Sequence, residues 1–323
     1  MNLMRILVPG KPVSGETIAK KLNVSRQALH KQIASLRREG YKINGKRNLG
    51  YVLMDEPDLL TPARIHSRIH AKILAEKIYH FDSLDSTQNK AKELAGKDEP
   101  EGAVILAEKQ TAGKGRFGRE WVSGAGGIWS SVIFRPKMPP HNIPVFSLVL
   151  SLAISEAIER VCKVRCFLKW PNDVLVYVNG GKSPKYKKVC GILVEMSAEA
   201  ERTNWVVAGF GIDANNLLPD TLKGHAVSLK DVTGSKIDRL ELLVATLEKI
   251  ETYYGSFLKS GFEEMRKDYL RKCVLTGKNV SITDAGIKTA GKCAGIGTDG
   301  SLLVLSSSKT LKKFFAGEIS LKS

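Results

Sequence analysis

Between about residues 65 and 270 two hydrophobic periods take turns, and this alternation limits the fold more than any other feature. Short apolar runs rich in β-branched residues (EGAVILAEKQ, GIWSSVIF, KVCGILVEM, NWVVAGFGI) are separated by longer runs with a helical period (STQNKAKELA, FSLVLSLAISEAIERV, DRLELLVATLEKIETYYGSFL). The first kind predicts strands and the second helices, so the stretch predicts a sheet with helices packed on it. The stripe Leu148, Leu152, Ile154 and Ile158 belongs to its core. Beyond about residue 270 the helical period is lost. Short β-rich runs broken by Gly and by Asp299-Gly300 predict a small β-barrel or sheet. The whole chain is read as α+β, with candidate domains at 1–60, 65–270 and 271–323.

The N-terminal segment has its own logic. In SGETIAKKLNVSRQALHKQIASLRREGYKI, Ser14 can cap a helix with Ile18, Ala19 and Leu22 on its apolar face, and Ser25 can cap a second with Leu29, Ile33 and Leu36. Ala19 is small enough to let the two helices cross closely. Ser25, Arg26, Gln27, His30 and Lys31 lie at the start or off the apolar face of the second helix, where they can reach major-groove bases and phosphates. NGKRNLGYVL then reads as a hairpin wing carrying Lys46 and Arg47. Residues 1–54 hold eleven Lys and Arg against two Glu, the electrostatic footprint of a DNA-binding unit. The plainer alternative is a helical hairpin with a solvated basic face. Asp55 to Pro62 is an acidic, proline-punctuated connector.

The full chain of 323 residues has a formal charge of +17, which favours an anionic partner without naming one. No run approaches the roughly 18 apolar residues of a membrane span, and no apolar secretory core stands at the start, so the reading is cytoplasmic with no membrane partner. Cys162, Cys166, Cys190, Cys273 and Cys293 are odd in number and include no C-x-x-C pair, which predicts reduced thiols rather than disulfides or a zinc site. His66, His70, His80, His141 and His225 show no metal-ligand spacing.

Chemistry concentrates in four segments. TAGKGRFGREW (111–121) combines mobile glycines with Lys114, Arg116 and Arg119, cations spaced to surround an anion. It is not a P-loop, and its glycine spacing alone is a weak dinucleotide signal. Such a loop is expected to be poorly ordered until its anion arrives; a Gly-rich surface turn is the alternative. KWPNDVLV (169–176) sets a cation, an amide and a carboxylate within five residues, able to hold a nucleotide or a metal. KVCGILVE (188–195) predicts a buried strand with Lys188 at its mouth and Gly191 where something approaches the backbone. In FDSLDSTQNKAKE, Ser86 and Thr87 open a helix, as caps or as ligand donors.

Together, in this order and over nearly the whole chain, the helix-turn-helix with its wing, Asp85-Ser86-Thr87, Gln110 with the Gly-Arg loop, Lys-Trp-Pro-Asn-Asp, Lys-x-x-Gly-Ile-Leu-Val-Glu and the terminal GEIS (317–320) resemble the biotin protein ligases. The N-terminal unit is similar to that of the family's bifunctional branch, the biotin operon repressors. The resemblance implies a winged helix-turn-helix, a central mixed sheet flanked by helices and related to class II aminoacyl-tRNA synthetases, and a C-terminal SH3-like barrel. It implies ATP-dependent formation of biotinyl-5′-AMP with Mg2+ present, then biotin transfer to a lysine of a biotin carboxyl carrier protein. It also implies biotin-responsive repression at operator DNA by a homodimer. Residue by residue it assigns Ser86, Thr87, Gln110, Lys114 and Lys188 to biotin, and Arg116, Arg119, Trp121, Asn172, Asp173 and Asn215 to ATP or the adenylate. Lys188, Arg116 and Asp173 are the catalytic candidates, with Asp173 the candidate for Mg2+. Trp170 and Pro171 are assigned to packing and turn geometry.

The sequence departs from the family pattern in four places. Lys114 and Phe117 stand where arginines are common, and GFGID (209–213) puts Asp213 where an asparagine is usual. NGGKSPKYKK (179–188) is a long hairpin with four lysines, expected to steer an acidic carrier domain. The competing readings are a ligase whose winged helix serves only structure and a repressor that senses ligand without catalysis. A lipoate ligase lacks this N-terminal unit and loop signature.

Overall fold

Two serines start the first two helices. Ser14 Oγ accepts from Thr17 N at 3.1 Å and opens α1 (Gly15–Leu22); Ser25 Oγ accepts from Ala28 N at 3.1 Å and opens α2 (Arg26–Arg38). Asn23, at φ 53°, takes the left-handed conformation that ends α1. Ile18, Ala19, Leu29 and Ile33 close the core with Tyr41, Ile43 and Leu53. The last two belong to an antiparallel hairpin, β1 (Lys42–Lys46) and β2 (Gly50–Asp55). Gly50, at φ 89°, is where the hairpin meets the chain before α1: a Cβ there would overlap Val13 O, and Val13 and Tyr51 exchange two backbone hydrogen bonds of 2.9 Å.

The chain is described from a computed structural model covering residues 3–38, 40–46, 49–179, 185–306 and 308–321. It divides into two compact units, Met1–His70 and Ala71–Ser323. The first runs past the acidic connector because that connector folds back on α3 (Pro62–Arg68). The buried Arg64 guanidinium pairs with Glu56 at 2.6 Å, donates to Leu59 O at 2.7 Å and also donates to Pro57 O.

The second unit is built on a seven-stranded sheet. Its strands are β3 (Ile78–Phe81), β4 (Val104–Ala107), β5 (Ile128–Phe134), β6 (Cys166–Lys169), β7 (Asp173–Val178), β8 (Lys185–Glu199) and β9 (Arg202–Ile212). The spatial order is β3-β4-β5-β9-β8-β7-β6. Only β3 and β4 pair in parallel and the other neighbours are antiparallel, so the sheet is mixed. The expected strand runs fall on β4, β5, β8 and β9. The helices are α4 (Thr87–Ala95), α5 (Phe146–Cys162), α6 (Leu229–Thr233), α7 (Arg239–Ser260) and α8 (Glu263–Lys272). Twelve of the 17 residues of α5 are buried, including Leu148, Leu152, Ile154 and Ile158. Its buried serines survive there because Ser151 and Ser155 donate to the carbonyls three residues back, each at 2.8 Å. Asp238 caps α7 through Glu241 N at 3.0 Å.

Five further strands follow: β10 (Asn279–Asp284), β11 (Ile287–Ile296), β12 (Leu302–Leu305), β13 (Leu311–Phe314) and β14 (Glu318–Leu321). They form an antiparallel sheet in the order β13-β12-β11-β10-β14. It belongs to the same unit as the seven-stranded sheet, and Trp170 helps to join them: fully buried, its Nε1 donates to Gly300 O at 3.0 Å. The Trp170–Pro171 peptide bond is cis. Among the described residues no helix is long and apolar enough to cross a membrane. All five cysteines are free thiols, and burial pushes each of them above its ordinary pKa.

Candidate functional site

The glycines of β8 and β9 prepare a floor. Gly191 and Gly211 lie opposite each other across the two strands, and the Trp121 indole rests on both. A Cβ on Gly211 would overlap Trp121 Nε1, and one on Gly191 would sit 2.8 Å from its Cζ3. A Cβ on Gly209 would overlap Gln88 Oε1. A cavity of about 430 Å3 opens above this floor, within the usual size for a small-molecule site.

One end carries hydroxyls and amides. Ser86 stands at the start of α4 in extended conformation (φ −159°) and makes no side-chain cap. Its Oγ is fully buried and has no hydrogen-bond partner among the described residues, so the capping alternative fails at this residue. Thr87 is fixed by Gln110, whose Oε1 accepts from Thr87 N at 2.8 Å and from Thr87 Oγ1 at 3.1 Å. Gln110 Nε2 donates to Ser123 Oγ at 2.7 Å.

Sequence reasoning missed Ser130, Ser131 and Gln88, which complete this end. Ser130 Oγ is a second buried hydroxyl without a partner. Ser131 Oγ lies 3.0 Å from Thr87 Oγ1 and donates to Gln88 Oε1 at 3.1 Å. The available signal was two adjacent hydroxyls inside the otherwise apolar run GIWSSVIF. An unmade hydrogen bond at a buried hydroxyl costs about 1–3 kcal/mol, so Ser86→Ala is expected to leave unfolding stability unchanged or raise it while the KM for the small molecule that this end binds rises roughly tenfold. A drop in stability with an unchanged KM, by denaturation and steady-state kinetics, would assign Ser86 to the fold alone.

The other end is charged. Lys188 Nζ pairs with Asp173 at 2.6 Å, both side chains about three-quarters buried, and stands 4.8 Å above the Trp121 ring. Arg116 donates to Asn172 Oδ1 at 3.3 Å and to Gly317 O at 3.5 Å. Burial draws this guanidinium below its ordinary pKa, with Asp173 and Glu318 opposing. Asn172 is anchored in turn through Nδ2 to Ile192 O at 2.8 Å. Lys169 also lines the wall. Asp213, on the same wall, is 2 % exposed, and burial pushes its carboxyl up to about 7. Trp121 Nε1 is buried with no hydrogen-bond partner among the described residues.

The 111–121 loop has more internal structure than its charge suggests. Gly115 N donates to Arg119 O at 2.8 Å and Trp121 N to Gly113 O at 2.9 Å. Arg119 pairs with Glu318 of β14. Lys114 lines the cavity but points its ammonium to Asn89 Oδ1 at 3.0 Å; Asn89 in turn donates to Asp85 at 2.7 Å. Phe117 is exposed at φ 57°.

Asn215 is not among the residues that line the cavity. Its amide donates to the Ile237 carbonyl at 2.9 Å and accepts from the Ile237 N–H at 2.8 Å, so it holds the loop before α7.

In the N-terminal unit Ser25, Arg26, Gln27, His30 and Lys31 are all exposed. Ser25 is occupied as a cap. Arg26 makes an exposed ion pair with Glu16 at 3.3 Å, and His30 Nδ1 lies 3.1 Å from the Tyr51 hydroxyl of β2. Lys46 ends β1, while Arg47 lies outside the described residues. In the basic hairpin Lys182 is likewise outside them, and Lys187 donates to Lys223 O at 2.7 Å.

The second unit thus carries, on a mixed sheet, a cavity with a hydroxyl-lined end and a cationic end, and the first unit is a helix-turn-helix with a hairpin. Residues 80–213 match the model of the biotin/lipoate A/B protein ligase family, and residues 1–52 match a helix-turn-helix domain. The chain is 36 % identical over 313 residues to the bifunctional ligase/repressor BirA of Bacillus subtilis, covering 96 % of this chain and 94 % of that one. It is 31 % identical over 210 residues to the biotin–[acetyl-CoA-carboxylase] ligase of Paracoccus denitrificans, covering 62 % and 83 %. The biotin protein ligase of Aquifex aeolicus, solved in complex with biotin and ATP, superposes with a TM-score of 0.65 at 31 % identity, over 76 % of this chain and 99 % of that one. The chain belongs to the biotin protein ligase family, in the branch that carries an N-terminal helix-turn-helix domain.

Proposed function

We propose that this enzyme joins biotin to a lysine of a biotin carboxyl carrier protein in two steps and couples that activity to repression at operator DNA. The carboxylate of biotin attacks the α-phosphorus of ATP, pyrophosphate leaves, and biotinyl-5′-AMP forms. The acceptor amine then attacks the acyl carbon, an amide bond forms, AMP leaves and a proton is released. A single observation carries the reading: one cavity has partnerless buried hydroxyls at one end and Lys188, Arg116 and Lys169 at the other. A carboxylate and a triphosphate repel each other, so cations between them are what the first step requires.

Ser86, Thr87 and Gln110 receive the polar groups of biotin, with Lys114 at the rim. Lys188 stands where carboxylate and α-phosphate meet. Arg116, Arg119, Trp121, Asn172 and Asp173 hold the adenylate; Arg119 exchanges Glu318 for phosphate when the loop closes. Closure over the mixed anhydride excludes water until the acceptor lysine arrives. No group of three or more His, Cys, Asp or Glu is gathered for a metal among the described residues. Mg2+ takes one or two carboxylates together with substrate phosphates; Asp173 would be its protein ligand, and the ion would neutralise phosphate charge there. The same proposal includes closure of the C-terminal strands into an SH3-like barrel, the functional division at 1–60, 65–270 and 271–323, and a homodimer on DNA.

The deciding experiment measures carrier biotinylation and operator-region DNA binding in the same tubes, with ATP and Mg2+, with and without biotin. Transfer together with biotin-dependent DNA binding is the expected result. DNA binding without transfer rejects the enzyme, and transfer alone leaves the helix-turn-helix unit to structure. For the DNA arm, Arg26→Ala with Lys31→Ala should weaken binding on all sequences and lower the slope of log affinity against log salt by roughly one per lost phosphate contact. An unchanged slope moves the interface elsewhere.

A further inference from the structure

The carboxylates on the cavity wall are provided for unequally. Asp173 has Lys188, Glu318 has Arg119, and Glu120 is exposed. Asp213 is 2 % exposed and, among the described residues, makes no ion pair and accepts one hydrogen bond, from Asn216 Nδ2 at 2.9 Å. Its backbone is pinned to this wall: its N–H donates to Val189 O at 2.8 Å and its carbonyl accepts from Leu229 N at 2.7 Å. Asn216 Oδ1 is itself buried with no partner. Rotating that amide by half a turn would present this acceptor to a protonated carboxyl, so the pair suits either protonation state.

The charged and titratable groups around Asp213 are few. On β8 they are Lys188 and the buried Cys190, and across it on β7 is Asp173. His225 lies on the same wall and accepts from Lys188 N through its carbonyl at 2.8 Å. Burial is the largest influence on the carboxyl, with Asn216 and Lys188 pulling the other way.

We propose that Asp213 is a proton-binding residue of the adenylate end: it takes up a proton as the phosphoryl anion binds beside Lys188, and the resulting acid donates a hydrogen bond where the carboxylate would repel. The inference rests on the adenylate reading above. An anion brought beside a buried carboxylate is repelled more strongly than beside an exposed one, because burial excludes the water that would screen the pair. Protonation removes that repulsion and leaves a donor. The sign follows from linkage: if the complex binds more protons than the free protein, affinity falls as pH rises. The fall begins near the free carboxyl's midpoint of about 7.

The test uses the full chain and an analogue of biotinyl-AMP in which a methylene replaces the acyl carbonyl. Its phosphodiester carries one charge and lacks the second ionisation that a monoester shows near about pH 6. Calorimetry in two buffers of different ionisation enthalpy gives Kd and proton uptake together. Between about pH 6 and 8.5 we expect Kd to rise at least ~5-fold, with uptake approaching about one proton per site at the upper end. Asp213→Asn should flatten both and bind more tightly than the unaltered protein at the upper pH. Asn216→Ala, by removing the hydrogen bond that favours the carboxylate, should move the midpoint upward. A flat, proton-neutral profile in the unaltered protein overturns the proposal, and so does an Asp213→Asn variant that still takes up the proton, which would assign it to His225 or another group. An analogue that binds at no pH overturns the adenylate reading and this inference with it.

Discussion

Lys188→Met is expected to lower biotin-dependent pyrophosphate exchange by roughly 10²–10³-fold in kcat while the protein stays folded. The ammonium is within 2.6 Å of Asp173 and stacked above Trp121, so it is the cation best placed to neutralise charge where carboxylate and phosphate meet. Its removal does two things. The transition state loses a charge-assisted donor, and the Asp173 carboxylate is left facing the incoming phosphate without a counterion. The second effect makes a distinguishing comparison. In the double variant with Asp173→Asn the stray negative charge is gone, so part of the loss should be recovered even though Asp173→Asn alone is harmful. Lys188→Arg keeps the charge but brings a planar fork into a slot made for a point charge, and is expected to fall between. Exchange within tenfold of the unaltered protein for Lys188→Met would remove this lysine from the chemistry.

How far the sequence reached depends on how local each interaction is. The helix-turn-helix was legible because its determinants, Ser14 with Thr17, Ser25 with Ala28 and the left-handed Asn23, lie within a few residues of one another. The strands of the seven-stranded sheet were legible for the same reason. The hydroxyl end was half legible: Ser86, Thr87 and Gln110 stood in motifs, but Ser130 and Ser131 looked like part of a buried strand. Only the meeting of α4 with β5 gives their hydroxyls a role. The order of the cationic loop was not legible, because Arg119 is held by Glu318, 199 positions away. The contacts of Asn215 were not legible either. This residue stands close to a familiar glycine run, yet its amide geometry is decided by Ile237, 22 residues on. Likewise the connector at Asp55 to Pro62 reads locally as acidic, proline-punctuated chain, and its packing against the first unit depends on Arg64.

Gly211→Ala should cost the site more than a single methyl ordinarily does. The new Cβ would overlap Trp121 Nε1, and the neighbouring Gly191 leaves no slack, since a Cβ there would already sit 2.8 Å from Trp121 Cζ3 and 2.9 Å from Lys188 Cε. Overpacking of a filled site typically costs about 1–3 kcal/mol. Here the strain has a cheaper exit than unfolding the sheet: the indole can leave, because it ends a loop and its Nε1 makes no hydrogen bond to hold it. The expected outcome is therefore a small change in stability with a large change in nucleotide use, the KM for ATP rising roughly tenfold, as for about 1.4 kcal/mol of lost binding. Trp121 emission should shift to the red as the ring enters water, a change absent in a Trp121→Phe background. Gly118→Ala is the control for backbone effects in the same loop: it has positive φ (71°) but open space around the missing Cβ, so it should cost about 1 kcal/mol of loop conformation without displacing the indole. If Gly211→Ala keeps both the ATP dependence and the emission of the unaltered protein, the glycine floor is a feature of strand packing, and Trp121 finds its place on the adenylate by some other constraint.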